Sequence, residues 1–591
     1  MGPQNPIIRI SSHEWDGAQP MFDIRHDHSI QMKGSDCLDG VLRKNFIQQH
    51  ADMGDKIFWP PPILKNIMTK DHVSQELARL KSDKKLAGDP FELVHKIIAG
   101  YLKVFATLTL AGKGKYIEKF IQDGVTDGCL PLQVRGGAIS RTDAPNKVLA
   151  CFEELKSRDK DCFLQYQHQV NPVILGFNGD HRTTQHKDLR AGAILPFTEV
   201  KPMRDGGFST VIQVTVHPDC HGFNDFLKPI IVNDKFALKE LSASGTATEF
   251  RKELDALKRF THKHLITLLM SWTFNNRYNL LFPLAGANLE DYWSSSRLPG
   301  SIIRIDIDLV QWISKQIVGM AGALNAVHEP TQFLQAIPKY GRHGDLKPEN
   351  ILWYQSEEDS RGILVIADLG LSAINSDKSR SNIPNNGIPG TPGYRPPECD
   401  LDGGKISRSY DIWTFGCLLL ELVCWALGGE ENRQEFEKAR ESPYITGAVT
   451  DIFFDVQVKE NGQGYTITVK EQVRKWTSDL HNLPTCTEYF HELLDLIETQ
   501  MIIALSQDRN RIKSPSLLET LERMHRRVMD GTDGYCRKAC PKKHVKREPE
   551  PVDAILNIMA NKMVRERKPA LSTHKGETQK PKSRQELQNM P

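Results

Sequence analysis

Apolar residues recur at three- and four-residue steps through Phe91, Val94, Ile97, Ile98, Tyr101, Leu102 and Phe105. That spacing places them on one face of a helix. Tyr116 to Gln122 and Asn146 to Ser157 carry shorter helical patterns, and Leu130 to Val134 reads as a short extended piece. Residues 1–59 are irregular, punctuated by Pro, Gly, Asp and His, and Trp59-Pro60-Pro61-Pro62 closes them. The pattern predicts a mainly helical accessory region over 60–190, with no motif in it that carries chemistry.

From Ala191 the period changes to two. Ile194 to Val200, Thr210 to Val216, Pro229 to Ile231 and Phe236 to Leu241 are rich in β-branched residues and read as strands. Glu249 to Arg259 reads as a helix, and Tyr278 to Ala285 as a strand running into a hinge. Helices follow at Leu289 to Ser294 and Val310 to Val327, then a very apolar one from Ser409 through Leu427. Phe453 to Val469 alternates around Glu460-Asn461-Gly462-Gln463-Gly464, the pattern of a hairpin. Tyr489 to Leu505 and Ser514 to Val528 read as the last long helices, and Ile555 to Met563 as a short isolated one.

Length and charge refine this picture. A chain of 591 residues is too long for one core and suggests three or four domains. Apolar content of 39% and charged content of 25% fit a soluble globular protein. Net charge is +2, but Cys536 to Pro591 holds fourteen Lys/Arg against six Asp/Glu, a net of +8, which leaves −6 for the rest. A near-neutral body with a basic tail does not read as a nucleic-acid-binding protein. The tail, 529–591, reads as mostly disordered. Within it Lys542 to Arg547 reads either as a solvated run or as a nuclear-import tract. The eleven cysteines show no CxxC pair and no Cys/His metal spacing, which suggests buried thiols in a reducing compartment. Met1 to Ile10 lacks a signal pattern, and His95, Lys96 and Lys103 interrupt Phe91 to Leu110, so no membrane span is expected. The expectation is an intracellular protein, cytoplasmic or nuclear.

The chemistry lies in His343-Gly344-Asp345-Leu346-Lys347-Pro348-Glu349-Asn350 and in Asp368-Leu369-Gly370, where Asp368 follows Asn350 by eighteen residues. These residue types suit magnesium-dependent phosphoryl transfer. Asp345 can accept or orient a hydroxyl proton, Lys347 can neutralise a moving phosphoryl group, and Asn350 and Asp368 offer hard oxygen ligands to Mg²⁺. Upstream lie a degenerate glycine loop, Arg204-Asp205-Gly206-Gly207-Phe208-Ser209-Thr210-Val211, and a strand, Phe236-Ala237-Leu238-Lys239. Glu253 stands nine residues before His262. Downstream come Thr391-Pro392-Gly393-Tyr394-Arg395-Pro396-Pro397-Glu398, Asp411 and Arg511.

In order and spacing these segments resemble a eukaryotic-type Ser/Thr protein kinase over about residues 190–528. The long insertions and Arg342-His343-Gly344 resemble the divergent kinases expanded in filamentous fungi. The resemblance implies an α+β, bilobal protein kinase fold. An antiparallel sheet lobe (191–285) and a helical lobe (286–528) would follow a mainly helical N-terminal extension and precede a disordered tail. It implies ATP and Mg²⁺ as cofactors and protein Ser/Thr hydroxyls as substrate; the N-terminal region's partner stays unknown.

It also implies roles. Gly206, Gly207 and Ser209 would approach phosphate, and Val211 and Ala237 would enclose adenine. Lys239, paired with Glu253, would hold the α- and β-phosphates. Phe282 would stand behind the nucleotide. Pro283, which lacks an N–H, would accept a hydrogen bond from adenine; Ala285 would donate one, and Asn288 would reach the ribose. Asp411 would accept catalytic-loop N–H groups, and Arg511 would pair with Glu398.

Departures from the pattern carry consequences. Ser209 replaces the third glycine of the phosphate loop, which leaves a pseudokinase scaffold as the alternative. Gly344 replaces an arginine that binds a phosphorylated activation loop in many relatives, which implies weak regulation of that kind. His-Gly-Asp also occurs in aminoglycoside-phosphotransferase-type enzymes, but Thr391 to Glu398 resembles a peptide-docking segment those enzymes lack.

Overall fold

The computed structural model describes residues 37–555, apart from 84–85, 87, 178–183, 185, 206–208, 242–246, 296–305, 331–338, 370–372, 377–382, 385–391, 403, 446, 460–463, 532–533 and 541–545. It forms two compact units. The first runs to Val173 and takes back Gly192–Thr198; the second holds Ile174–Ala191 and everything from Glu199 onward.

The first unit is mainly helical: α1 (Leu38–Lys44), α2 (Pro61–Ile67), α3 (Lys70–Ser82), α4 (Pro90–Gly100), α5 (Leu102–Leu110), α6 (Ile117–Gln122) and α7 (Ser157–Gln169). Two small hairpins accompany them, β1 (Ile47–Gln48) with β2 (Ile57–Phe58), and β3 (Gln133–Arg135) with β4 (Ala138–Ser140). The apolar period through Phe91 to Phe105 is real, but the backbone leaves the helix at Tyr101, so α4 and α5 meet at 110°. Phe91 and Ile98 face outward, at 68% and 41% exposure, whereas Val94 and Ile97 are buried. The helix expected over 146–157 is instead a single 3₁₀ turn, Ala150–Phe152. The Asp123 carboxylate takes the Cys151 N–H there at 2.6 Å. Leu149, Cys151, Phe152 and Leu155 go inward while Val148 is exposed, and Phe152 meets Phe120 and Phe163 edge-on in the core.

The second unit begins with a six-stranded sheet, ordered β5-β9-β10-β8-β7-β6. Its strands are β5 (His186–Asp188), β6 (Phe197–Asp205), β7 (Ser209–Val216), β8 (Lys235–Leu241), β9 (Met270–Phe274) and β10 (Arg277–Pro283). The β9-β10-β8-β7 ladder is antiparallel; β5 joins β9 in parallel. The strand expected at Pro229 to Ile231 is absent. That segment follows the short α8 (Asn224–Leu227) as a turn, where Pro229 has no N–H to give a ladder and its carbonyl takes the Ser356 hydroxyl. Helix α9 (Ala247–Arg259) buries Phe250, Leu254 and Leu257 on one face, with Glu253 on the same side.

The helical lobe follows. β11 (Ala287–Asn288) leads into α10 (Leu289–Ser295) and α11 (Ile307–His328), which Asp306 caps by accepting the Leu309 N–H. β12 (Lys339–Arg342), β13 (Ile351–Tyr354), β14 (Ile363–Ile366) and β15 (Ala373–Ser376) carry the catalytic-loop region. β16 (Ile383–Pro384) pairs with β17 (Lys405–Ile406). Helix α12 (Ser409–Ala439) is broken at Gly429, whose φ of 75° a side chain would resist: its first part ends close to the expected Leu427, and a second helical stretch follows the kink. Among the described residues α12 alone is long and apolar enough to cross a membrane, and 94% of its most apolar window lies inside the fold.

β18 (Ser442–Pro443) and β19 (Val449–Thr450) form a small hairpin, and β20 (Phe454–Val458) with β21 (Tyr465–Val469) the expected one. α13 (Glu471–His481), α14 (Glu488–Leu496) and α15 (Ser514–Asp530) complete the lobe; a π turn at Ile497–Met501 ends what the sequence suggested as one longer helix. Ordered chain continues past α15. Tyr535 and Cys536 are buried, and β22 (Val552–Ala554) adds a third strand beside β21.

Candidate active site

Lys239 sits at the middle of β8, opposite Val211 of β7 and Leu280 of β10. Its Nζ lies 2.8 Å from Glu253 Oε1 and 3.5 Å from Asp368 Oδ1. Burial alone would lower the lysine pKa, but the Glu253 and Asp368 carboxylates outweigh it and hold the ammonium above its ordinary value. Lys239 is thus a fixed cation between two lobes' carboxylates.

The catalytic loop is built on Asp411 at the start of α12. Its Oδ2 accepts from the His343 N–H and its Oδ1 from the Gly344 N–H, each at 2.8 Å. Gly344 has a φ of 86°, which a side chain would strain. His343 Nε2 donates to the Ala367 carbonyl at 2.9 Å, and its Nδ1 accepts from the Asp345 N–H. That ring ties the loop to the segment bearing Asp368. Burial would raise the Asp411 carboxyl, but the hydrogen bond from His328, with His343 and Arg342 nearby, keeps it below the usual range.

Asp345 is mostly buried, with Lys347 Nζ 3.1 Å from its Oδ2. Asn350 Nδ2 donates to the same Oδ2 and to the Asp345 carbonyl, both at 2.8 Å. These two bonds fix the amide so that its carbonyl oxygen is left for another partner. Asp368 adopts a left-handed φ of 61°, anchored by the buried Leu369 behind it, and its carboxylate is 49% exposed. Held strain of this kind clusters at functional sites. Asn350 and Asp368 therefore present hard oxygen donors, which suits Mg²⁺; that ion keeps water and phosphate oxygens and needs few protein ligands. Among the described residues no three His, Cys, Asp or Glu side chains form a metal-holding group.

Of the residues expected around the nucleotide, Ala237 pairs with Phe282 across β8 and β10, and Ser209 pairs with Leu241. Ala285 lies in the coil between β10 and β11. Two carry a commitment that the sequence did not reveal. The Pro283 carbonyl accepts from the Tyr354 hydroxyl at 3.1 Å, so adenine would have to use its second lone pair. Asn288 Oδ1 caps α10 by accepting the Asp291 N–H at 2.8 Å, which leaves its amide nitrogen for a ribose. Gly206, Gly207, Gly370 and Thr391 lie outside the described residues.

Arg511 grips Glu398 through two nitrogens at 2.6 and 3.0 Å, both side chains being buried, and its guanidinium lies over the Trp413 ring. Tyr394 donates to the buried Glu421 at 2.5 Å. His328 and Tyr354 were missed from sequence. A lone histidine at the end of an apolar helix looks like any helix terminus, and nothing local marks a tyrosine that reaches another strand.

Residues 227–461 match the family model described as a protein kinase domain. The chain is 27% identical over 262 residues to a probable receptor-like protein kinase of Arabidopsis thaliana, covering 43% of this chain and 28% of that one. It is 30% identical over 208 residues to a proline-rich receptor-like protein kinase of the same plant, covering 34% and 26%. It is 26% identical over 242 residues to chitin elicitor receptor kinase 1 of Physcomitrium patens, covering 40% and 34%. The matched part spans about a quarter to a third of each of these relatives. With the sheet and helical lobes in place around Lys239, Asp345 and Asp368, the second unit has the bilobal α+β fold of the protein kinase domain that residues 227–461 match.

Proposed function

We propose that the protein transfers the γ-phosphoryl group of ATP to Ser/Thr hydroxyls of protein substrates, with Mg²⁺. The observation that carries this reading is Lys239 held between Glu253 and Asp368. Lys239 would bind the α- and β-phosphates. Asp345, its carboxylate fixed by Asn350 and Lys347, would accept the hydrogen bond of a substrate hydroxyl and aim its oxygen at the phosphorus. Lys347 would offset negative charge as it develops on the phosphoryl oxygens. Asn350 and Asp368 would hold Mg²⁺, which when bound neutralises phosphate charge. Lys347-Pro348-Glu349-Asn350 favours Ser/Thr over Tyr as acceptor. The likeness to kinases of filamentous fungi rests on the insertions and on Arg342-His343-Gly344, and the intracellular location on cysteines that read as free thiols of a reducing compartment.

Labelled ATP, Mg²⁺ and a basic protein substrate test the reading. Transfer by the unmutated protein, lost in Asp345→Asn and Asp368→Asn, supports it; no transfer at any Mg²⁺ concentration refutes it. A scaffold that binds nucleotide without transfer is the second reading. It is favoured by Ser209 in place of a phosphate-loop glycine and by the prior engagement of Pro283 and Asn288.

A further inference from the structure

Ile174–Ala191 belongs to the second unit, although the chain on either side of it belongs to the first. It touches the sheet lobe at two places. Leu175 exchanges backbone bonds with Cys220 and Gly222, each at 2.9 Å, and the Phe177 ring meets Phe223 and Phe226. Further on, β5 pairs with β9, His186 lying opposite Ser271; the Leu189 N–H continues the ladder to Thr273, and the Thr184 hydroxyl donates to Leu268. Without β5, β9 would be an open edge strand.

Edge cover would need only backbone. His186 does more. Its Nδ1 and Nε2 bond the Ser271 and Thr273 hydroxyls at 3.2 and 2.8 Å. Its ring centroid stands 5.1 Å from that of Phe250, which in turn stacks on Tyr278 at 4.2 Å. Phe250 lies one turn before Glu253 on α9, so the two side chains share a helix face. Tyr278 lies opposite Leu241, two residues past Lys239 on β8. One continuous set of packed rings therefore runs from β5 to the helix that holds Glu253 against Lys239. Burial lowers the His186 pKa, so the ring packs uncharged.

We infer that β5 is an intramolecular positioning element: His186, by fixing Phe250, sets α9 so that Glu253 engages Lys239. This rests on the kinase reading above, and the test separates the two. His186→Ala and His186→Phe are made in the full chain, each with Glu253 intact and with Glu253→Gln. kcat/KM for labelled transfer, thermal midpoint, and amide exchange over residues 250–257 are measured. His186→Ala is expected to lower kcat/KM about tenfold with little change in midpoint and faster exchange across α9. His186→Phe keeps a ring against Phe250 but loses the bonds to the Ser271 and Thr273 hydroxyls, so it is expected to restore both in part. In the Glu253→Gln background His186→Ala has less than about twofold further effect, because the residue acts through that glutamate. Unchanged exchange in His186→Ala, or an equal loss of kcat/KM in both backgrounds, overturns the inference. If the unmutated protein transfers no phosphate while His186→Ala still loosens α9, the positioning role stands and the kinase reading falls.

Discussion

His328 Nε2 lies 2.8 Å from Asp411 Oδ2, with both side chains almost wholly buried at 1% and 0% exposure. The same carboxylate carries the His343 and Gly344 N–H groups. Asp411→Asn keeps the shape but removes the charge and turns one acceptor into a donor facing N–H groups. Breaking a buried charged network costs about 3–5 kcal/mol. Urea unfolding should show that loss, and kcat should fall with it.

Lys239→Met leaves Glu253 and Asp368 without their shared cation. Phosphoryl transfer should fall at least about a hundredfold in kcat/KM, as for other lost transition-state charge partners. The thermal midpoint should fall as well, because Glu253, only 10% exposed, is left as a buried carboxylate without its cation, whereas Asp368 is half exposed and water can serve it. Steady-state kinetics beside a melting curve checks both statements.

Stability should fall as pH drops below neutrality. Burial lowers the His264 pKa to about 4 although its Nδ1 bonds the Leu364 carbonyl. In the unfolded chain it titrates near ~6.5. Between those values the unfolded state binds a proton that the folded state refuses, so stability is whole above the upper value and declines towards the lower one. The loss is on the order of 3 kcal/mol. Denaturant midpoints at several pH values should show the slope, and His264→Gln should flatten it. A residual slope remains from His217, His262 and His525, which burial lowers in the same sense.

Gly319→Ala should destabilise despite its better helix propensity. A Cβ there would lie 2.2 Å from His264 Nε2. Alanine gains about 1 kcal/mol of propensity, while forcing an occupied site apart costs about 1–3 kcal/mol. The net sign is read from the thermal midpoint, and the double variant with His264→Ala should recover stability.

Tyr535→Ala should weaken the helical lobe by about 3 kcal/mol, as deletion of a buried ring does. Tyr535 is 2% exposed, donates to Glu492, and lies under the Arg527 guanidinium at 3.8 Å. Calorimetry that finds no change would show that the chain after α15 is not part of the folded lobe.

Strong local signals carried over from sequence to structure. The 3.6-residue period predicted Val310 to Val327, within α11, and strand alternation predicted Phe236 to Leu241, within β8. The pairings of Arg511 with Glu398 and of Asp411 with the loop N–H groups also appear, because motif spacing fixed their places in the resemblance. Weak local signals failed. Asn146 to Ser157 held apolar residues without a sustained period, and Asp123 decided its backbone from elsewhere in the chain. Pro229 to Ile231 looked β-branched, but Pro229 has no N–H, and those of Ile230 and Ile231 go to the Leu227 and Gln355 carbonyls.

The amino-acid order by itself determined which side chains could do phosphoryl chemistry, since Lys239, Asp345, Asn350 and Asp368 are named by type and spacing. It determined the elements whose apolar period is long enough to outweigh backbone entropy. Only the tertiary structure decided what long-range partners impose. Tyr354 occupies the Pro283 carbonyl, and His186 reaches Phe250. β22 is three residues long and is a strand because β21 offers it an edge. Such contacts join residues tens of positions apart, and no local period encodes them.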